Sequence, residues 1–257
     1  KKVKTYFTNP ETSYTDILKR FKKKSEVIII APETNNLSSM IYSHVSQNHK
    51  VLGSNISSLN TFSSKTKMLT KLRRLNLPIV ENYKLNLNYK GKIIFKPDTS
   101  AGSENTFVTN KNNYKKKKGY LVQKFYNGKK GSFLMLCKNG KSKVICCNEQ
   151  LLNLKKEKIQ QVGCIMGGLE KHRNEIEIIA NRISKNFKGL FGIVGVDIVI
   201  ENKKWLIIEI NPRFTSAYSG LNKSYSSLTI KDITDFYVHK KLNDTQPIFL
   251  KKYEYYF

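Results

Sequence analysis

No apolar run in this 257-residue chain approaches the roughly 20 residues that a membrane-spanning helix needs, and the longest candidate, EVIIIAP at residues 26–32, has strand length. A helical anchor is thereby excluded within the sequence, and a soluble protein is expected. Basic residues open the chain, but no hydrophobic segment of signal-peptide type follows, so export is not indicated and a cytoplasmic location is the expectation. Cysteine is scarce and poorly spaced for chemistry. Cys137, Cys146, Cys147 and Cys164 form no C-x-x-C pair and have no histidine at ligand spacing, which argues against zinc. Two adjacent cysteines serve a disulfide framework badly, so buried, reduced thiols are expected. Glycine and proline are modest and no internal repeat is visible, which excludes a fibre or a solenoid. Arginine is the last shortage: of 46 basic residues only Arg20, Arg73, Arg74, Arg173, Arg182 and Arg213 are arginines. Base-edge and phosphate recognition in nucleic acids lean on arginine forks, so the formal charge of +27 reads first as a solvated lysine surface. That surface still attracts polyanionic small molecules such as nucleotides.

What is present favours a globular α/β chain. Aromatics are abundant, with 14 Tyr and 13 Phe, and the length suffices for two or three small lobes. Short apolar runs at residues 3–7, 26–31 and 50–53 alternate with helical periodicity at 14–21 and 37–47, a βαβαβ rhythm that implies a parallel sheet with covering helices. The rhythm is short for a complete doubly wound domain, which suggests a lost N-terminal unit. A helix over 65–75 follows, stopped by Asn76 and Pro78. Short strands at 92–96, 106–109 and 120–125 surround a small-residue loop at 98–105 and a lysine-rich connection, as in a small α+β lobe. Beyond it, Asn139-Gly140 marks a hairpin between strands at 132–137 and 143–147. Ile176, Ile179, Ile183 and Phe187 stripe a helix over 174–187, and two apolar strands span 193–200 and 205–210.

Those last strands carry the sharpest signal, FGIVGVDIVIENKKWLIIEINPRFTS, in which polar side chains interrupt apolar runs. Asp197 lies between Val196 and Ile198, and Glu209 between Ile208 and Ile210. A carboxylate so placed must be paired, hydrogen-bonded or metal-bound, because desolvating it alone is prohibitive. Strand alternation puts Glu209 and Asn211 on one face. If the hairpin pairs Glu201 with Trp205 around a three-residue loop, Asp197 falls opposite Glu209, whereas an even-numbered loop breaks that alignment. Three oxygen donors with no His or Cys nearby would select magnesium or manganese over zinc. The competing reading pairs Asp197 with a lysine and Glu209 with Arg213.

This stretch resembles the C-terminal strands of ATP-grasp ligases, which end in a similar E-x-N-P-R element. The resemblance implies that Asp197, Glu209 and Asn211 coordinate Mg²⁺ or Mn²⁺, two ions bridging the phosphates of ATP, and that Arg213 is catalytic. Upstream segments follow the same plan. Ile93-Ile94-Phe95-Lys96-Pro97 looks like the strand whose lysine reaches the phosphates, and DTSAGSE at 98–104, with Ser100, Gly102 and Ser103, looks like the phosphate-covering loop. Small residues there let backbone N–H groups approach phosphate. Lys65 resembles a second phosphate-contacting lysine. YLVQKFYNG at 120–128 is similar to the strand whose backbone reads the adenine edge, which makes Gln123, Lys124 and Phe125 the hinge. At Lys124 and at 129–132 relatives commonly carry acidic residues, so the ribose contact has no assigned partner.

The resemblance covers nearly the whole chain, including Ala31-Pro32-Glu33, Leu52-Gly53-Ser54, Asn148-Glu149-Gln150 and Gly167-Gly168. In these details it is most similar to the archaeal branch that contains tyramine-glutamate ligase of methanofuran biosynthesis. It implies an ATP-grasp fold with three parts: a Rossmann-like N-terminal α/β lobe over 1–62, shortened by its first strand and helix; a small α+β lid over 63–122; and a large α+β lobe over 123–257, the last two clasping ATP. The implied reaction joins a small-molecule carboxylate to an amine through an acyl-phosphate, with Thr215, Ser216 and Tyr218 lining the acceptor site. The alternatives are a ligase for another amino acid, peptide or protein, and a non-catalytic nucleotide- or nucleic-acid-binding module.

Overall fold

The computed structural model describes Asp16 and residues 24–83, 91–115 and 117–256. The expected segments at 3–7 and, but for Asp16, 14–21 lie outside the described residues. Within them, β1 (Glu26–Val27) and β2 (Lys50–Val51) pair in parallel, with α1 (Leu37–Val45) between them, as the βαβ rhythm requires. Pairing stops at Val27, and beyond it Ile28 and Ile30 are 42% and 64% exposed, so the expected buried strand over 26–31 is much shorter than its apolar run. The chain then forms α2 (Ile56–Phe62) and α3 (Lys65–Arg74). Each starts on a side-chain cap: Asn55 accepts from the Ser58 amide at 2.9 Å and Ser64 from the Lys67 amide at 3.1 Å.

Residues downstream build one sheet. β3 (Lys92–Pro97), β4 (Phe107–Asn110), β5 (Tyr120–Lys124), β6 (Lys129–Lys138), β7 (Lys141–Lys155) and β8 (Lys158–Met166) precede α4 (Arg173–Asn186). β9 (Gly192–Glu201) and β10 (Lys204–Asn211) follow, then α5 (Leu221–Ser224), α6 (Ser227–His239) and β11 (Tyr253–Tyr256). The strand order is β10-β9-β6-β7-β8-β4-β3-β5, with β11 also on β8. Asn139 and Gly140 both take left-handed φ, 50° and 81°, so the hairpin turn read from the sequence is present between much longer strands than expected. A second tight turn, at Lys156 and Glu157 with φ of 47° and 66°, leads into β8. Neither residue type announces such a turn, and β8 was not anticipated. The sheet runs without a break from the small strands to the large ones, because Phe107 pairs with Lys158.

Both faces of the long strands are buried, which is why they read as continuous apolar runs. Phe133, Met135, Val194 and Val196 face a core shared with Met68, Leu69 and Leu72 of α3 and Ile176, Ile179 and Ile183 of α4. The opposite face carries Leu134, Leu136 and Ile193, covered by Tyr225 and by Ile233 and Phe236 of α6. Burial of each such side chain stabilises by about 1.5–3 kcal/mol. All four cysteines are buried and free, and burial pushes the Cys146 and Cys164 thiols up to about 12, so they behave as small hydrophobes.

One polar knot ties these layers. Glu170 accepts from the Cys147 amide at 2.8 Å, from Arg173 Nε at 2.7 Å and from the Tyr225 hydroxyl, while Arg173 also donates to the Val144 and Ile145 carbonyls. Breaking one member leaves a recessed charge uncompensated. Glu170→Gln should therefore cost about 3 kcal/mol in urea unfolding, and Tyr225→Phe about 1 kcal/mol; equal small losses would mean that the knot is solvated.

Candidate active site

The alternation that buries β9 also opens the site. One face of β9 carries Ile193, Gly195 and Asp197 in succession. α6 packs over Ile193, Thr215 folds onto Gly195, where a Cβ would lie 2.4 Å from its Cγ2, and past that point Asp197 faces a cleft of about 490 Å³.

The β9–β10 hairpin departs from expectation in an instructive way. Its loop has two residues, Asn202 and Lys203, both at left-handed φ (50° and 62°), and Glu201 pairs with Lys204. In unbroken register Glu209 would then face Val196. A β-bulge between Ile207 and Glu209 absorbs Ile208 as an extra residue, and Asp197 pairs with Glu209 after all. Asn211, two residues on, lines the same cleft.

Around these groups the sequence delivers its other polar residues. Gln150 Nε2 donates to Asp197 Oδ1 at 2.7 Å, and Asn211 Nδ2 to Asp197 Oδ2 at 3.3 Å. Lys65, at the first turn of α3, is 5% exposed; its Nζ lies 3.1 Å from Glu209 Oε1 and donates to the Ser100 carbonyl at 2.6 Å. The loop over 98–105 is anchored at its root, where Asp98 accepts from Ser64 Oγ at 2.6 Å and from the Thr66 amide at 2.8 Å. Gly102 (φ 65°) and Ser103 (φ 61°) then turn left-handed at the cleft rim, with nothing within 4 Å of where a Gly102 Cβ would sit. Lys96 of β3 points into the same space.

Electrostatics are dominated by burial and crowding. Burial pushes the Lys96 ammonium down to about 8, with Lys65 adding to the effect and Glu209 and Asp197 opposing it. Burial, then the charge of Glu209, push the Asp197 carboxyl up to about 7, against Lys96 and the bonds from Gln150 and Asn211. Two carboxylates facing each other at that cost form a place where a cation relieves repulsion. Among the described residues no three His, Cys, Asp or Glu side chains cluster; the oxygen groups that meet here are two carboxylates and one amide.

The competing reading is answered in part. Glu209 does pair with a lysine, Lys65, in direct contact at 3.1 Å, whereas Asp197 contacts two amides. Arg213 pairs with Glu33 rather than with Glu209: Arg213 Nε donates to Glu33 Oε1 and Nη2 to Oε2, each at 2.8 Å. The sequence showed Glu33 only as part of a motif, and no local pattern reveals a partner 180 positions away.

Other expected residues sit elsewhere. Gln123, Lys124 and Phe125 are not among the residues lining the cleft. The Lys124 amide donates to the Glu81 carbonyl, because an extended segment at 81–83 runs beside β5, and the Phe125 amide donates to the Lys92 carbonyl of β3. Gln123 is 1% exposed, and its Nε2 has no partner among the described residues. Thr215 and Ser216 line the cleft, whereas Tyr218 stacks edge-on against Phe214 at 4.8 Å. Lys130 donates to the Tyr126 and Gly128 carbonyls and lies 5.1 Å from the Phe125 ring. Gly128 admits no side chain, since a Cβ would stand 1.7 Å from the Ile200 carbonyl oxygen. Gln150 and Ser132 were missed: Ser132 pairs with Asp197 and with Asn148, but only a bulge beside Leu134 and Met135 brings Gln150 to the same face, and alternation counted from the turn would have put it on the other. Among the described residues no helix is long and apolar enough to cross a membrane.

Comparison with known proteins identifies the family. Residues 62–217 match the model of the ATP-grasp domain. Tyramine–L-glutamate ligase of Methanocaldococcus fervens is 30% identical over 229 residues, covering 86% of this chain and 70% of that protein. The enzyme of the same name from Methanocaldococcus jannaschii is 30% identical over 148 residues, 56% of this chain and 42% of the relative. Among solved structures, an ATP-grasp superfamily protein from Archaeoglobus fulgidus superposes with a TM-score of 0.72 at 22% identity, covering 95% of this chain and 83% of that one, a likeness that speaks to fold. With two carboxylates, an amide and two lysines converging on one cleft inside the matched segment, the chain belongs to the ATP-grasp family of ATP-dependent ligases.

Proposed function

We propose that this cleft joins a small carboxylate to an amine at the expense of ATP, and that glutamate and tyramine, the substrates named for the 30%-identical relatives, are the pair to test first. The observation that carries the reading is the convergence of Asp197, Glu209 and Asn211 with Lys65 and Lys96 on one cleft. Residues 63–122 act as the lid, 123–257 as the base, and 1–62 as the flanking lobe. Lys65 and Lys96 hold the phosphates, with Ser100, Gly102 and Ser103 closing over them. Gln123, Lys124 and Phe125 are assigned to the hinge beside adenine on the family resemblance alone, since none of the three lines the cleft.

Asp197, Glu209 and Asn211 would hold the divalent ions, which supply charge neutralisation across the phosphates. In the reaction, a carboxylate oxygen of the substrate attacks the γ-phosphorus and the bond to the ADP oxygen breaks. The amine nitrogen then attacks the acyl carbon, phosphate leaves with the bonding pair, and the nitrogen sheds a proton. Arg213 stabilises the negative charge that spreads over the transferred phosphoryl group, and the lid excludes water that would hydrolyse the acyl-phosphate. No covalent nucleophile from the protein is needed, because positioning and charge neutralisation supply most of such catalysis.

A matrix of carboxylates and amines, with ADP release as readout, tests the reading. ADP and phosphate should appear only with magnesium and with both substrates, glutamate and tyramine included. Release with a different pair would keep the ligase and change its substrates. Release with no pair, together with salt-sensitive RNA or DNA binding, would overturn it.

A further inference from the structure

Glu33 meets Arg213, a residue that lines the cleft, from the N-terminal lobe. It follows Ala31 and Pro32, which line the cleft, and the left-handed Asn35 and Asn36 return the chain into α1. Its side chain is almost wholly buried, at 4% exposure, and it grips the edge of Arg213 through two parallel bonds of 2.8 Å. Among the described residues nothing else donates to that carboxylate. A buried ion pair of this kind stabilises a fold little, because desolvation offsets most of the attraction. What it does supply is orientation. A guanidinium has five N–H groups; two go to Glu33 and one, from Nη1, to the Phe214 carbonyl at 3.1 Å, which leaves two for a ligand.

We propose that Glu33 is a positioning residue: its carboxylate fixes the Arg213 guanidinium in one plane, so that the two unspent N–H groups face the phosphoryl group in transfer. This rests on the ligase reading above and adds the N-terminal lobe to the catalytic apparatus. Losing the orientation while keeping the arginine should slow the chemical step and leave nucleotide binding almost intact.

Glu33→Gln should lower kcat for ADP release by about 10²-fold while KM for ATP changes by less than about threefold. Glu33→Asp, which keeps the charge on a shorter stem, should recover part of the loss. A complementary measurement survives poor folding of those variants. Arg213→Ala leaves the Glu33 carboxylate buried beside a guanidinium-sized vacancy, so millimolar guanidinium should raise its melting temperature and restore part of its activity. In the Glu33→Gln/Arg213→Ala double variant both effects should vanish. Equal thermal shifts in the two backgrounds, or a Glu33→Gln defect expressed in KM for ATP, would overturn the proposal. Should the wild type release no ADP with any substrate pair, the ligase reading fails, and the thermal arm still decides whether Glu33 is the guanidinium seat.

Discussion

Glu209→Gln should lower ADP release by about 10³-fold, which corresponds to about 4 kcal/mol of transition-state stabilisation. The side chain keeps its length and an oxygen for Lys65, 3.1 Å away, so the fold should hold. What disappears is one of the two charges that face each other across β9 and β10. Burial first, and then the Glu209 charge, push the Asp197 carboxyl up to about 7, so removing that charge should bring Asp197 part of the way back toward an ordinary carboxylate. Magnesium should then bind more weakly, and saturating concentrations should restore only part of the rate. A decrease below tenfold, with an unchanged magnesium requirement, would remove Glu209 from the proposed ion site.

Lys96→Met should produce opposite effects on function and stability. Burial holds the Lys96 ammonium down at about 8, against 10.5 for a free lysine. The folded protein thus binds fewer protons than the unfolded chain between about pH 8 and 10.5, and stability contributed at this site rises as pH climbs through that window. Below about pH 8 the cost of burying the charge is fully present. Methionine removes that cost, so the nucleotide-free variant should melt higher than wild type at pH 7. Function should run the other way. A triphosphate held by Lys96 needs the ammonium, so KM for ATP should rise about 10²-fold in the variant. In the wild type, kcat/KM for ATP should fall as pH rises through about 8, and Lys96→Arg, charged throughout, should flatten that limb. A KM unchanged in Lys96→Met would place the lysine outside the phosphate site.

How far the molecule was legible from its sequence depended on whether a feature was local. Asp197, Glu209 and Asn211 stood out because polar groups in an apolar strand demand a reason, and alternation alone puts Glu209 and Asn211 on one face, whereas Asp197 joins them only through the register of the hairpin. The bulge at Ile208 was invisible, because an extra residue in a run of Leu206, Ile207 and Ile208 leaves the pattern unchanged. Two errors cancelled there, an assumed three-residue loop and an assumed regular ladder. β8 escaped because its turn uses Lys156 and Glu157 in left-handed conformations that neither residue favours. The buried strand expected over 26–31 failed for another reason: apolar residues form a strand only where a partner continues, and β2 ends at Val51. Glu33 lay beyond sequence reasoning altogether, since its meaning comes from Arg213 across the fold.

The proposed ion site can be measured directly. Manganese titrated into the protein with a non-hydrolysable ATP analogue, and followed by electron paramagnetic resonance, should show tight sites in the wild type that need the nucleotide. Asp197→Asn and Glu209→Gln should each weaken them by about tenfold or more while the analogue still binds. Manganese held equally well by the wild type and both variants would contradict the convergence of these side chains on a nucleotide-bound cation.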